Sequence, residues 1–230
     1  MAKTPKTRSG KKSGVTAAAA GSGAPAIEDH IARWSDYYFI KTRQAVERFG
    51  DKAVTYAVFM RRPVLFAPRL MIFWLEDVAR ARGVTFDIEC NYTEGQWAGA
   101  GEPLVYITGP MAGLVDLETL YLQKLGAACV AANNAFSMCV ELPDVEFMAM
   151  EARHCTGPEM AEMMAYAASV GSQAARAQVG AKGFIGNATG ATAHYFGRNG
   201  GLGTMPHALI GYAGSTLKAA EMFADTFPGE

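Results

Sequence analysis

Leu202-Gly203-Thr204-Met205-Pro206-His207-Ala208-Leu209-Ile210 is the stretch on which the reading of this chain turns. A Gly-rich turn precedes it (Gly197, Gly200, Gly201), and Gly211 and Gly214 lead from it into Ser215-Thr216 and a helical pattern. Read as the end of a strand, it sets a polar Thr204 and a His207 in an apolar run. In α/β folds the ligand crevice lies outside the carboxyl ends of the strands. His207 is therefore the first candidate for chemistry.

The segments on either side repeat the pattern. Val145 to Met150 reads as a strand running into Glu151-Ala152-Arg153-His154, and Thr156-Gly157-Pro158-Glu159 opens a helix with proline at its first turn. Gly183 to Gly186 reads as a second strand. Asn187-Ala188-Thr189 starts a helix ending at Gly197, and a last helix runs from Ser215 to about Asp225. Residues 145–225 thus give three strand–helix units. Polar groups gather at the strand ends: Arg153 and His154, Asn187 and Thr189, Thr204 and His207. Arginine, histidine and backbone amides together suit a polyanionic substrate. Three units do not close an α/β barrel, which takes about eight strands.

The front of the chain is of another kind. Ile27 to Phe49 is helical, with Ser35 or Asp36 placed to cap a second helix after a break, and Gly50 suits the helix end. Ala53–Phe59 has strand propensity and runs into Arg61-Arg62-Pro63, a pair of arginines able to grip phosphate. A helix starts near Pro68 and stops at Gly83. Val84–Ile88 and Leu104–Thr108 read as strands joined by a Gly-rich connection with Glu94-Gly95. From Met111 apolar residues recur at helical spacing, predicting a long buried helix that ends at Asn133-Asn134. The expected organisation is a basic, disordered tail over 1–26, an α+β domain over 27–113, and the first part of an α/β barrel domain over 114–230.

Several classes are excluded or disfavoured. No apolar run reaches the ~20 residues of a membrane span. The tail holds Lys3, Lys6, Arg8, Lys11 and Lys12 without an acid and without the apolar core of a secretory signal. It reads as a solvated tail rather than a nucleic-acid arm. There is no P-loop, no dinucleotide fingerprint opening the parallel region and no H-x-x-x-H pair. The 4 cysteines form no C-x-x-C, so no metal site is expected, and a reducing cytoplasm fits.

Gly203-Thr204-Met205-Pro206-His207 resembles the G-T-M-P/A-H motif of nicotinate phosphoribosyltransferases. Further landmarks follow the family's order. Ser35-Asp36-Tyr37-Tyr38 resembles its T-D-x-Y, and Phe59-Met60-Arg61 its F-x-R. Glu94-Gly95, Glu102-Pro103-Leu104 and Leu117-Glu118-Thr119 resemble E-G, E-P-L and v-E-T, and Arg153 matches an arginine of F-G-x-R-R. The resemblance implies the type II phosphoribosyltransferase fold, an α+β domain against an α/β barrel, in dimers that share sites. It implies transfer of phosphoribose from phosphoribosyl pyrophosphate to nicotinate in NAD biosynthesis, with Mg²⁺, and with ATP hydrolysis coupled through a phosphohistidine. Carried over, His207 is the phosphorylated residue. Tyr38 stacks on the pyridine from a neighbouring subunit, Arg61 holds pyrophosphate, and Arg153 meets the ribose-phosphate or the base. His154 and Thr204 complete the substrate-binding set.

Two departures from the family pattern are visible. Met150-Glu151 stands for its F-G, and His154 for its second arginine. These keep nicotinamide and quinolinate open as the base. The family's later barrel strands, with the Gly-rich loops for the 5′-phosphate, have no counterpart before Glu230. The expectation is a barrel incomplete in this chain, either finished by another chain or left as a non-catalytic binding module. Such a chain is expected to be aggregation-prone or oligomeric.

Overall fold

The computed structural model describes residues 23–203 and 205–229. The basic tail falls outside them except at its end, where the first helix already begins at Gly23. Thr204 also lies outside the described residues.

Helices α1 (Gly23–Trp34) and α2 (Tyr37–Phe49) meet at a corner made by Ser35 and Asp36. Asp36 stands at the N-cap of α2 but makes no side-chain cap bond to it. The corner is tied instead to a distant segment. Thr119 Oγ1 accepts from Asp36 N at 3.1 Å and donates to Asp36 Oδ2 at 3.0 Å, while Ser35 Oγ donates to the Asp116 carbonyl.

β1 (Ala53–Phe59), β3 (Asp87–Cys90) and β5 (Pro103–Pro110) form an antiparallel sheet in the order β1-β5-β3, after β2 (Val64–Leu65), α3 (Arg69–Arg82) and β4 (Trp97–Ala98) have been laid down. β2 and β4 pair separately. β3 begins later than the predicted Val84–Ile88. Gly83, in the left-handed conformation at φ 63°, ends α3, and Val84 N then donates to Ala79 O at 3.0 Å. Val84 therefore belongs to the helix end, and the ladder to β5 starts only at Asp87–Thr108.

A short helix α4 (Met111–Leu114) and a 3-10 turn (Val115–Leu117) lead into α5 (Glu118–Glu141). α5 does not stop at Asn133-Asn134 as predicted. The Asn133 side chain is spent sideways: its Oδ1 accepts from Leu65 N at 2.7 Å, so it pins β2 to the helix and does not compete with the helix's own backbone. α6 (Pro158–Val179) packs along α5 in the most extensive helix contact of the chain. Their backbones approach at Gly171, where a Cβ would meet the Ala132 carbonyl and lie 2.8 Å from Phe136 N. One core runs through the described residues from α1 to the end of α6. Leu65, Phe66, Met71, Leu75, Leu104 and Ile107 of the front half are continuous with Leu117, Tyr121, Leu125 and Tyr166. Cys129 and Cys139 are free thiols buried in α5.

β6 (Glu146–Ala149) and β7 (Gly183–Asn187) are parallel neighbours joined through α6. The ladder is bulged, and the carbonyl of the bulge residue Ile185 accepts from Arg198 Nε at 2.6 Å. No third strand joins them among the described residues. Among the described residues before His207, Leu202 N donates to Asn187 O at 2.6 Å. Gly203 and Pro206 then prevent a ladder, since proline has no N–H to give. His207 opens α7 (His207–Ala213) rather than closing a strand, and α8 (Thr216–Thr226) follows. The predicted helix after Asn187 is a 3-10 segment, Gly190–Phe196, wound tightly because the Asn187 amide bonds both Thr189 and Thr192.

Candidate active site

The carboxyl ends of β6 and β7 lie side by side, fastened by Ala188 N donating to Ala149 O at 3.0 Å. Beyond β6 a 3-10 turn (Ala152–His154) carries Arg153 and His154, both exposed. β7 ends in Asn187, fully buried, with Thr189 and Thr192 around its amide. The loop from Gly197 folds back over this end. A Cβ on Gly201 would lie 2.8 Å from the Ala188 carbonyl group, so only glycine permits the approach. That loop delivers Leu202 to Asn187 and leads to His207, whose imidazole is exposed. The structure thus gathers the Arg153–His154 turn, Asn187 and the approach to His207 at one end of the parallel pair.

Tyr38 and Arg61 are placed elsewhere. Tyr38 sits on α2, 60% exposed, on a helix that packs against α4 and the Val115–Leu117 turn. Arg61 is exposed in the loop after β1. A cleft of about 680 Å³ runs between α1, α5 and the start of α6, and is lined by Trp34, Lys124 and Met160 among others. Thr156 and Gly157 border it, but Arg153, His154 and His207 do not. A second cleft of about 540 Å³ flanks β7 beside Arg176 and Arg198. Both arginines spend hydrogen bonds on backbone carbonyls of residues 182–185.

Other sequence landmarks serve the architecture. Glu94 accepts from Tyr166 Oη at 2.5 Å and pairs with Arg69; burial first, then that carboxylate, pushes the Tyr166 phenol well above its usual range. Glu102 accepts from Gly99 N at 2.9 Å and from Tyr92. Asp116 lies under Arg82 and Arg43, at 2.7 Å from each. Its burial works against ionisation, but the two guanidiniums hold its carboxyl below the ordinary aspartate range. These groups shape the Gly-rich connection and the α1–α2 corner.

Two side chains at the strand ends, Asn187 placed there by the sequence but given no role and Glu151 passed over beside Arg153, carry oxygens left without partners. Both carboxylate oxygens of Glu151 and Oδ1 of Asn187 are buried with no hydrogen-bond partner. Their place, Asn187 as the last residue of β7 and Glu151 two residues past β6, is the sign of them that the sequence carries.

No protein-family model matches the sequence, and a search of curated proteins returns no match. Solved structures do match in shape. A nicotinate-nucleotide pyrophosphorylase from Pyrococcus furiosus superposes with a TM-score of 0.63 at 26% identity over 87% of this chain. Human nicotinic acid phosphoribosyltransferase gives 0.61 at 20% identity over 77% of the chain. The fold is that of the type II phosphoribosyltransferases. A nicotinate-nucleotide pyrophosphorylase from Ehrlichia chaffeensis shares the fold, with a TM-score of 0.56 at 15% identity over 91% of the chain. The chain spans 49% of the Pyrococcus protein and 40% of the human one. Of the type II phosphoribosyltransferase fold, the described residues supply the α+β layers and a parallel pair of strands, with no closed barrel among them. They include no helix long and apolar enough to cross a membrane.

Proposed function

We propose that the protein transfers phosphoribose from phosphoribosyl pyrophosphate to nicotinate, giving nicotinate mononucleotide and pyrophosphate in NAD biosynthesis. The observation that carries this reading is the likeness to the Pyrococcus nicotinate-nucleotide pyrophosphorylase, taken with the Arg153–His154 turn at the open end of β6. Arg153 is permanently cationic and accommodates a phosphate or a carboxylate with paired N–H groups. His154 adds the hydrogen-bonding nitrogens of its ring beside it. Catalysis in this chemistry is positioning and charge stabilisation. The bond from the anomeric carbon to pyrophosphate breaks, the pyridine nitrogen takes its place, and the carbon is cationic between the two. Mg²⁺, where bound, would supply charge to offset that of the departing pyrophosphate.

His207 is assigned the coupling to ATP. Its exposed imidazole attacks the γ-phosphorus, ADP leaves, and a phosphoramidate remains to be hydrolysed. Tyr38 is assigned to the pyridine face of a neighbouring protomer's site and Arg61 to pyrophosphate, which makes the working unit a homodimer. Thr204 is assigned to the substrate beside His207. The exposure of Tyr38 and Arg61 supports a role between protomers.

The test is product analysis with phosphoribosyl pyrophosphate, ATP and a panel of nicotinate, quinolinate and nicotinamide. Nicotinate mononucleotide is the expected product, and silence toward all three bases would leave a binding module. γ-Labelled ATP should leave an acid-labile phosphate on the chain that His207→Ala abolishes. Met150-Glu151, where the family has F-G, favours a second reading in which the base is quinolinate or nicotinamide. The same panel decides it.

A further inference from the structure

We propose that Glu151 and Asn187 are the protein's share of a divalent-cation subsite at the carboxyl ends of β6 and β7. Glu151 lies two residues beyond Ala149, the register partner of Asn187. Both of its carboxylate oxygens are buried without a partner, and so is Asn187 Oδ1, on a residue with 0% exposure. The neighbouring Arg153 and His154 turn to solvent and leave the carboxylate unpaired.

The Asn187 oxygen is free by construction. The amide nitrogen donates to Thr189 Oγ1 at 3.0 Å and Thr192 Oγ1 at 2.5 Å, and the two hydroxyls bond each other at 2.9 Å. Three contacts need three hydrogens: two from the amide and one from a threonine. Rotating the amide by half a turn would leave two hydroxyl hydrogens for three contacts. The threonines therefore fix the amide so that Oδ1 is left as a lone acceptor.

A buried, unpaired carboxylate is costly in a folded protein, and an unbonded buried carbonyl adds to the cost. Neutral donors would fill the hydrogen bonds and leave the charge. A small hard cation answers both, since such ions prefer carboxylate and amide oxygens. Mg²⁺ characteristically takes one or two protein groups and completes its shell with water and phosphate oxygens. Two residues supplying three oxygens beside a basic turn match that demand. The subsite rests on the geometry alone; its place in the reaction rests on the phosphoribosyl-transfer reading.

Mn²⁺ alone is the probe, titrated into the full chain and followed by loss of the free-ion electron-spin resonance signal. Wild type should bind it, and Glu151→Gln, which keeps the volume, should bind at least roughly tenfold more weakly. Asn187→Asp should bind more tightly than wild type, because it adds charge at the same oxygen. In metal-free buffer Glu151→Gln should melt higher than wild type, since it removes a buried charge, and Mn²⁺ should raise the melting temperature of wild type but not of the variant. Mn²⁺ affinity unchanged in Glu151→Gln, or no Mn²⁺ binding by wild type, overturns the subsite. Glu151-dependent Mn²⁺ binding in a chain that forms no nucleotide from any base would keep the subsite and remove the enzymatic reading. Turnover with unaltered metal affinity in Glu151→Gln would do the reverse.

Discussion

At the scale of single residues, Asp116 is the most heavily paired buried charge among the described residues. It is 2% exposed and takes hydrogen bonds from Arg82 at 2.7 and 2.9 Å and from Arg43 at 2.7 Å. Asp116→Asn leaves buried guanidinium charge without its main partner, and should cost about 3–5 kcal/mol in urea unfolding at neutral pH. The sign with pH follows from the depressed carboxyl. The folded form binds its proton later than the unfolded chain, whose aspartate titrates near ~3.9. The contribution is therefore complete above that pH and is lost as pH falls through the folded value. The gap between wild type and Asp116→Asn should narrow below about pH 4. A gap that stays constant down to pH 3 would show that the charge contributes nothing. Cys129 is a second case: burial pushes its thiol up to about 11.

At the scale of elements, the sequence was legible where local chemistry and periodicity agreed. α3 stops at Gly83 and α6 starts at Pro158 as their caps require, and β1 matches its apolar run residue for residue. Legibility failed where a side chain's partner is far away. Asn133 reads as a helix stop until Leu65 is seen to use it. Glu94 and Glu102 read only as landmarks of a resemblance until Tyr166, Tyr92 and Gly99 show what they hold. The third strand was read from an apolar run that Gly203 and Pro206 cannot turn into a ladder. His207 therefore begins a helix, although the strand-end location of Arg153, His154 and Asn187 was read correctly. The α5–α6 contact depends on a position that periodicity does not reveal. Gly171→Ala pushes a methyl into the backbone of α5 and should cost at least about 1–3 kcal/mol, measured by chemical denaturation. Unchanged stability would mean that the helices separate freely.

At the scale of the whole molecule, one continuous core joins the α+β layers to the parallel pair, while large apolar side chains remain outside it. Phe49, Tyr37, Tyr212 and Leu217 are 82%, 72%, 80% and 70% exposed. Burying such groups against a second copy is favourable, at roughly 25 cal/mol per Å² of apolar surface removed from water. Sedimentation velocity at micromolar concentration should therefore show dimers or larger species, and Tyr37→Ser with Tyr212→Ser should shift them toward monomer. A wild-type monomer across that range would contradict both the association and the shared-site assignment of Tyr38. The two thiols sealed in α5 carry a consequence for experiment. Cys90 is exposed and Cys155 half-buried, whereas Cys129 and Cys139 are closed to reagents until the helix layers part. Alkylation should run in two phases, and the slow one is a built-in stopwatch for global opening, readable by mass spectrometry without any added label.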